Sequence, residues 1–250
     1  MGTAKLKQVE RFFVGGVNHL LWPAVCINCR ESICDSDHNL CRQCWDDILS
    51  STAGDYCNRC GRDAGRYGVI DGCCPGCQGK DFYFDGIARC GVYSDSLRKM
   101  ILAFKNGKTE LDSVLGFLVK SALEGSSFYS DIDFLVPVPL HWSRRIVRGY
   151  NQSLILTKKS RHSSAKINTE LVRIRRTKKQ FLMLTDTKRT SNVADAFAVR
   201  FRHKFENKNI CLIDDIKTSG STLNECAKTL KEAGAARVYA LVLSVAGQSF

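Results

Sequence analysis

The pattern of apolar and polar positions predicts alternating strands and helices over the second two-thirds of the chain. Short apolar runs suited to buried strands are separated there by stretches with a helical period. The predicted strands are 85–93, 133–140, 171–175, 210–213 and 237–243. The predicted helices are 94–104, 109–123, 151–160 and 222–233. This alternation is typical of an α/β protein with a mostly parallel sheet covered by helices.

One strand–turn–helix stretch carries the clearest candidate chemistry. The apolar run 210–213 is followed at once by Asp214 and Asp215, then by the small-residue turn 218–222 and a helix. The first amides of a helix lack internal partners, and the helix dipole places partial positive charge there. Gly220 lets the backbone approach a ligand without a Cβ. Such a turn suits a phosphate, and the two carboxylates suit the hydroxyls of a ribose.

A plain helix cap is the alternative explanation, because Ser and Thr are ordinary at helix starts and an Asp pair can lie on a solvated loop. The buried strand directly before the Asp pair favours the ligand site over the cap. The candidate residues for a ribose 5-phosphate are Asp214, Asp215, Lys217, Thr218, Ser219, Gly220, Ser221 and Thr222.

A second candidate segment follows the predicted strand 133–140. Pro137 and Pro139 fix φ and lack amide donors, so the strand must end there. Three arginines come directly after, within 141–152, just past the carboxyl end of a strand, where ligands bind in open α/β sheets. The forked guanidinium group suits phosphate and pyrophosphate.

The segment 176–197 is polar and basic and has no clear period, so it is interpreted as a long loop. Long loops in compact domains are often functional lids. A disordered linker is the alternative.

Charge is unevenly distributed along the chain. The net charge is +12, yet residues 1–80 hold nine basic and nine acidic side chains. Residues 141–209 hold eighteen basic and four acidic side chains, a net of +14. A polyphosphate or nucleic acid partner is the natural expectation, and a solvated basic surface is the alternative.

Thirteen cysteines, ten of them between Cys26 and Cys77, indicate a metal module. Eight form Cys-x-x-Cys pairs: Cys26 with Cys29, Cys41 with Cys44, Cys57 with Cys60, and Cys74 with Cys77. Two such pairs complete a tetrahedral four-thiolate zinc site, so we expect structural Zn²⁺ in a zinc ribbon. An iron–sulfur cluster and a redox Cys-x-x-Cys are the alternatives. The spacing leaves open how the pairs combine, whether one or two ions bind, and what Cys34 and Cys73 do.

Residues 5–22 predict an amphipathic helix that packs on the protein, with a membrane-surface helix as the alternative. No stretch is long and apolar enough to span a bilayer, and no secretory signal precedes the cysteines. We therefore expect a cytoplasmic protein with reduced thiolates. The predicted domains are 1–80, the N-terminal helix with the zinc-binding double zinc-ribbon module, and 81–250, the α/β domain.

The chain resembles known proteins on specific motifs. Residues 212–216 with 218–222 look like the 5-phosphoribosyl-1-pyrophosphate (PRPP) signature of type I phosphoribosyltransferases. The whole chain resembles the ComF/GntX family of competence-associated, phosphoribosyltransferase-like proteins. The resemblance rests on the Cys-x-x-Cys series, 104–107, 136–140, 144–152 and the spaced residues of 177–197.

The resemblance implies a type I phosphoribosyltransferase fold in which Asp214 and Asp215 act as catalytic residues and hold the ribose. It implies that Mg²⁺ binds together with PRPP. The implied pyrophosphate and lid residues are Lys105, Pro139, Arg144, Arg145, Arg148, Asn151, Gln180, Arg189 and Asn192. The implied activity is phosphoribosyl transfer to an unidentified acceptor, linked to DNA uptake or nucleotide metabolism. The alternative is a non-catalytic protein that binds single-stranded DNA or other DNA-uptake proteins and keeps a regulatory PRPP site.

Overall fold

A computed structural model describes residues 25–33, 40–65, 68–69, 73–160, 164–177, 191–201 and 204–246. The predicted helix 5–22, Cys34, Gln180 and Arg189 lie outside the described residues. The chain divides into two compact units, one ending at Ser50 and one beginning at Ser51. The domain division after residue 80 stays a prediction, and the second half of the cysteine series lies in the same compact unit as the sheet.

The larger unit is built on a five-stranded sheet in which every neighbouring pair of strands is parallel. Its strands are β1 (Gly86–Val92), β2 (Phe134–Pro137), β3 (Lys166–Ile167), β6 (Asn209–Lys217) and β7 (Arg237–Val245), in the spatial order β1-β7-β6-β2-β3. A separate antiparallel pair consists of β4 (Leu171–Arg173) and β5 (Phe197–Val199). The parallel sheet confirms the predicted α/β class.

The named helices of the described residues are α1 (Arg42–Thr52), α2 (Asp95–Lys105), α3 (Asp112–Glu124), α4 (Trp142–Arg148), α5 (Gln152–Ser160) and α6 (Ser221–Glu232). Four of these six helices lie at predicted positions, whereas α1 and α4 were not predicted. Short 3-10 turns span Thr109–Leu111 and Tyr129–Asp131. The predicted helices 94–104, 109–123, 151–160 and 222–233 are thus confirmed within a few residues.

The structure corrects three sequence expectations. The arginine-rich stretch after Pro139, for which the resemblance implies a loop, is the helix α4. The strand 210–213 continues through the Asp pair as β6, because these residues pair with β7 from Asn209↔Arg237 to Lys217↔Val245. The segment 176–197 is not one long loop, because 191–193 is helical and Phe197 begins β5. Residues 178–190 of this segment lie outside the described residues.

One hydrophobic core of the larger unit lies between the sheet and α6. Ile210 and Leu212 of β6 are fully buried, and they join Leu223, Ala227 and Leu230 of α6 in one hydrophobic cluster. Burying one such leucine contributes about 1.5–3 kcal/mol to folding. This packing fixes the start of α6 over the carboxyl end of β6, where the candidate site lies.

Candidate phosphate and zinc sites

The turn between β6 and α6 is shaped by a glycine that no other residue can easily replace. Gly220 has a φ of +86° and stands at the N-cap of α6. A Cβ at this position would lie 2.9 Å from Cε of Lys217, whose side chain is 3% exposed. The positive φ and the close approach together explain why the predicted phosphate turn carries glycine at this position.

The hydroxyls of the turn are already organised. Oγ of Ser219 lies 2.8 Å from Oγ of Ser221, and the Ser221 amide donates to Oγ of Ser219 at 3.4 Å. The Asn224 amide donates to the Gly220 carbonyl at 2.9 Å. Two serine hydroxyls and a helix start are therefore held together within 218–222.

The Asp214 carboxyl is partly buried and has two hydrogen-bond donors from the protein. Oγ of Ser153 donates to Oδ1 of Asp214 at 3.0 Å, and the Asp215 amide donates to the same oxygen at 2.9 Å. Burial, and then the neighbouring Asp215 charge, raise the pKa of Asp214 to about 7. The Asp214 side chain is therefore divided between its neutral and charged forms near neutral pH.

Asp215 has a different environment, because a lysine neutralises it. Nζ of Lys105, at the end of α2, lies 3.0 Å from Oδ1 of Asp215. The Tyr150 hydroxyl donates to the carbonyl of Phe104, which ties the end of α2 to the segment between α4 and α5. The structure thus brings Lys105 of the predicted pyrophosphate set to the Asp pair.

The arginines of α4 take different positions. Nη2 of Arg144 donates to the Thr177 carbonyl at 2.7 Å, and Nη1 of Arg148 donates to Oε1 of Gln152 at 2.8 Å. Arg145 is exposed. Nδ1 of His141 accepts from the Ser143 amide at 3.3 Å and caps the helix.

Two asparagines of the predicted pyrophosphate and lid set take part in hydrogen bonds that involve backbone carbonyls. Nδ2 of Asn151 donates to the Val138 carbonyl at 3.1 Å, which holds the start of α5 against the strand exit before Pro139. The Asn192 carbonyl lies 3.5 Å from Nη2 of Arg175. Asn151 thus fixes the position of α5, which carries Ser153, relative to the end of β2.

Sequence reasoning did not find two residues of this region. Ser153 donates to Asp214, and its place in the Asn151-Gln152-Ser153 stretch was the available signal. Arg173 reaches the site region from β4, and one arginine in a short apolar run carries no such signal. Burial, and then repulsion by Arg144, lower the pKa of Arg173, whereas the Asp214 charge acts in the opposite direction.

The eight paired cysteines gather into two four-thiol groups. Cys26, Cys29, Cys41 and Cys44 form one, and Cys57, Cys60, Cys74 and Cys77 form the other. Within each group all sulfur atoms lie within 4.8 Å of one another. The pairs therefore combine in sequence order, which the spacing alone left open.

The donor set fits tetrahedral zinc. Sulfur–sulfur distances include 3.6 Å for Cys29–Cys41 and 3.4 Å for Cys60–Cys74. A zinc–sulfur bond of about 2.3 Å in a tetrahedron requires about 3.8 Å between sulfurs. The Cys44 amide donates to Sγ of Cys41 at 3.4 Å, which helps to stabilise a thiolate. The two groups can hold two structural zinc ions.

Comparison with known proteins agrees with the assignment of the two cysteine groups. The double zinc ribbon domain family matches residues 17–78, which span all eight paired cysteines. Competence protein F of Haemophilus influenzae is 28% identical over 84% of this chain and 91% of its own length. Competence protein ComFC of Bacillus subtilis is 31% identical over 58% of each chain. These matches support the predicted resemblance to the ComF family.

Another ComF-family relative carries a different name. The DNA utilization protein YhgH of Escherichia coli strain K12 is 28% identical over 86% of this chain and 94% of its own length. The family, the parallel sheet and the four-cysteine groups confirm the predicted phosphoribosyltransferase-like fold with an N-terminal zinc ribbon. They also confirm structural zinc as the cofactor class of the cysteine module.

Solved structures show weaker likeness. The glutamine PRPP amidotransferase of B. subtilis matches 53% of this chain and 26% of its own, with a TM-score of 0.35 and 17% identity. A hypoxanthine phosphoribosyltransferase from Staphylococcus aureus matches 53% of this chain and 60% of its own, with a TM-score of 0.28 and 14% identity.

Among the described helices, none has the length and apolar character needed to cross a bilayer.

Proposed function

We propose that this protein binds PRPP at the carboxyl end of β6 and transfers its phosphoribosyl group. One observation carries the proposal. The Asp pair lies near the carboxyl end of β6, close in sequence to the pre-organised turn 218–222, and Nζ of Lys105 lies 3.0 Å from Oδ1 of Asp215. Carboxylates, amides at a helix start and a lysine are the groups that ribose hydroxyls, a 5-phosphate and a pyrophosphate require.

The side chains support defined roles. Asp214 and Asp215 hold the two ribose hydroxyls, and residues 218–222 hold the 5-phosphate. Lys105, Arg145 and Arg148 attract the pyrophosphate. When the C1′–O bond breaks, the electron pair leaves with pyrophosphate and C1′ gains positive character, which carboxylates nearby stabilise. An acceptor nucleophile then supplies the electron pair of the new bond and gives its proton to solvent.

Magnesium fits this site as a partner of the ligand. The oxygen atoms of Asp214 and Asp215 are hard donors of the type that Mg²⁺ prefers. Mg²⁺ bound together with PRPP would offset the negative charge of the pyrophosphate. The chain supplies orientation through Ser153 and Lys105, which fix the two carboxylates.

The test is PRPP-induced thermal stabilisation. Wild-type protein with Mg²⁺ and PRPP is expected to melt at a higher temperature than protein with Mg²⁺ alone. The double variant Asp214→Asn with Asp215→Asn should lose that stabilisation, whereas Asp112→Asn, whose carboxylate pairs with Lys159 and not with a proposed site residue, should keep it. Stabilisation that persists in the Asp pair variant would place PRPP elsewhere. Pyrophosphate release from PRPP, measured with candidate acceptors, then tests turnover.

A second candidate function is single-stranded DNA binding. The helix α4 exposes Trp142 at 66%, Ile146 at 73% and Val147 at 90% beside Arg144, Arg145 and Arg148. An exposed aromatic ring with neighbouring arginines can stack a base and contact a phosphate backbone. The names of the relatives, which refer to competence and DNA utilization, support a DNA-linked role.

DNA binding by α4 can be tested separately from PRPP binding. Trp142→Ala should weaken binding of an oligothymidine strand, measured by fluorescence anisotropy, by about fivefold to a hundredfold. Phe117→Ala is the matched control, because Phe117 is also exposed at 55% but lies on α3. Equal binding by both variants would exclude α4 as the stacking surface.

A further inference from the structure

Two guanidinium groups from different parts of the fold meet at Thr177. Nη2 of Arg144, on α4, donates to the Thr177 carbonyl at 2.7 Å. Nη2 of Arg173, on β4, donates to Oγ1 of the same threonine. Thr177 is 7% exposed, so the residue that joins the two guanidinium groups is buried. Two positive charges, 29 positions apart in sequence, are therefore held close together.

No carboxylate of the described chain forms an ion pair with either arginine. Burial lowers the pKa of both, and each also responds to neighbouring arginines, Arg148 and Arg176 in the case of Arg144. The nearby His141, 5% exposed, has its pKa lowered by burial and then by Arg173, Arg176 and Arg144. This local excess of positive charge favours an anion.

Arg173 also has a donor that the protein leaves unused. Its Nε is buried and has no hydrogen-bond partner among the residues that the structure describes. Its guanidinium carbon lies 5.1 Å from the centre of the Phe197 ring, which holds the fork in one orientation. A buried donor without a partner costs free energy, and a ligand that accepts from it recovers that cost.

Arg173 lies close enough to Asp214 for the two charges to act on each other. It comes from the small antiparallel sheet, whereas the Asp pair and the phosphate turn come from the parallel sheet and α6. The small sheet therefore contributes a positive charge that acts on Asp214 at the proposed ribose position.

We propose that Arg144 and Arg173 form an anion subsite for a phosphate or carboxylate group of the acceptor. This rests on the proposed function, because the subsite borders the ribose that the Asp pair holds. A subsite of this kind requires an anionic acceptor and excludes neutral nucleobases as the acceptor. The other source of the same chemistry is the pyrophosphate of PRPP itself, and the experiment distinguishes the two.

The experiment titrates inorganic phosphate into the full zinc-loaded chain by calorimetry, with and without saturating Mg²⁺ and PRPP. PRPP occupies the turn 218–222, so phosphate that still binds reports a second subsite. Arg173→Met should weaken this binding by about tenfold or more, which corresponds to a lost charge-assisted hydrogen bond. The affinity for PRPP should stay within about twofold of wild type, because Arg173 contacts the acceptor.

Arg200→Met is the matched control. Arg200 follows β5, and its amide donates to the Glu170 carbonyl at the other end of the small sheet. The substitution Arg200→Met removes one positive charge from the small sheet, as Arg173→Met does, and should leave phosphate binding unchanged. Arg144→Met gives an independent reading should Arg173→Met fold poorly, and it too should weaken phosphate binding about tenfold or more.

Three results would overturn the assignment. Phosphate that PRPP displaces completely would show that the arginines hold the pyrophosphate of PRPP, and the proposed function would stand. Unchanged phosphate affinity in both Arg173→Met and Arg144→Met would exclude this subsite. A wild-type chain that binds phosphate through these arginines but never binds PRPP would overturn the proposed function and the acceptor assignment with it.

Discussion

The Arg89 guanidinium donates a hydrogen bond to the Gly61 carbonyl at 2.9 Å. Arg89 lies on β1, at the edge of the parallel sheet, and Gly61 directly follows Cys60 of the second four-cysteine group. The Arg89 side chain is 3% exposed and forms an ion pair with Asp63. The Ile87 amide also donates to the Asn58 carbonyl at 2.8 Å. The second cysteine group therefore covers the edge of the sheet.

This relationship predicts that the second zinc site stabilises the larger unit. Cys60→Ser should remove a buried zinc ligand and lower the melting temperature by an amount on the order of 10 °C, because structural zinc contributes folding free energy. Calorimetry with metal analysis measures both effects, and wild type should contain two zinc ions, as the two four-thiol groups require.

Cys73→Ser is the control for that prediction. Cys73 lies next to the ligand Cys74 but belongs to neither four-thiol group. Its substitution should leave two bound ions and a melting temperature near that of wild type. Equal destabilisation by Cys60→Ser and Cys73→Ser would contradict a specific role of the second zinc site.

A second prediction concerns Arg89 itself. Arg89→Met should lower the free energy of unfolding by about 2–3 kcal/mol, because the buried Gly61 carbonyl loses its donor and the Asp63 ion pair is lost. Urea denaturation gives this value. Arg98→Met is the control, since Arg98 is exposed and its substitution should change stability by less than about 0.5 kcal/mol. Similar losses in the two variants would argue against the role of Arg89.

A third prediction separates backbone strain from close packing at the phosphate turn. Gly220→Ala places a Cβ 2.9 Å from Cε of the buried Lys217, at a φ of +86°. Gly149→Ala has nearly the same φ, +82°, but nothing within 4 Å of its Cβ. Both should lose about 1–2 kcal/mol from the left-handed backbone, and Gly220→Ala should lose more.

The same pair of variants tests the site. PRPP-induced stabilisation should fall in Gly220→Ala, because the turn 218–222 must shift to admit the new methyl group. Equal stability losses in the two alanine variants would show that Lys217 moves aside and that packing does not constrain Gly220.

A fourth prediction follows from the raised pKa of Asp214, which is about 7 in the folded protein against an ordinary 3.8. Between these values the folded state binds more protons than the unfolded state, so Asp214 makes the protein less stable as pH rises toward 7. Above pH 7 its contribution is constant. Asp214→Asn should remove this dependence, so the stability of the variant relative to wild type should increase from pH 5.5 to 7.5.

Urea denaturation of both proteins across that range measures the difference, and effects common to both, such as zinc binding, cancel. Ser153→Ala is a useful companion, because it removes one donor to Asp214 and should move the transition to higher pH. A difference between Asp214→Asn and wild type that stays flat with pH would mean that Asp214 is charged throughout.

Several features were predictable because they depend on neighbours in sequence. The run 210–213 followed by small residues and a helical period predicts a strand, a turn and a helix, and β6 and α6 confirm it. The Cys-x-x-Cys spacing likewise predicts thiol pairs. The helix α4 was missed because its seven residues make only about two turns, too few to establish a helical period in the sequence.

By itself, the sequence determined the parallel α/β class, the glycine-containing turn after the Asp pair and the presence of zinc-binding thiols, because each is encoded by residues a few positions apart. Only the tertiary structure decided that the cysteine pairs combine in sequence order, that Lys105 neutralises Asp215, and that Arg173 meets Arg144 at Thr177. These contacts join strands and helices far apart in the chain. Crossover connections in a parallel sheet bring such residues together, and local periodicity carries no record of which ones meet.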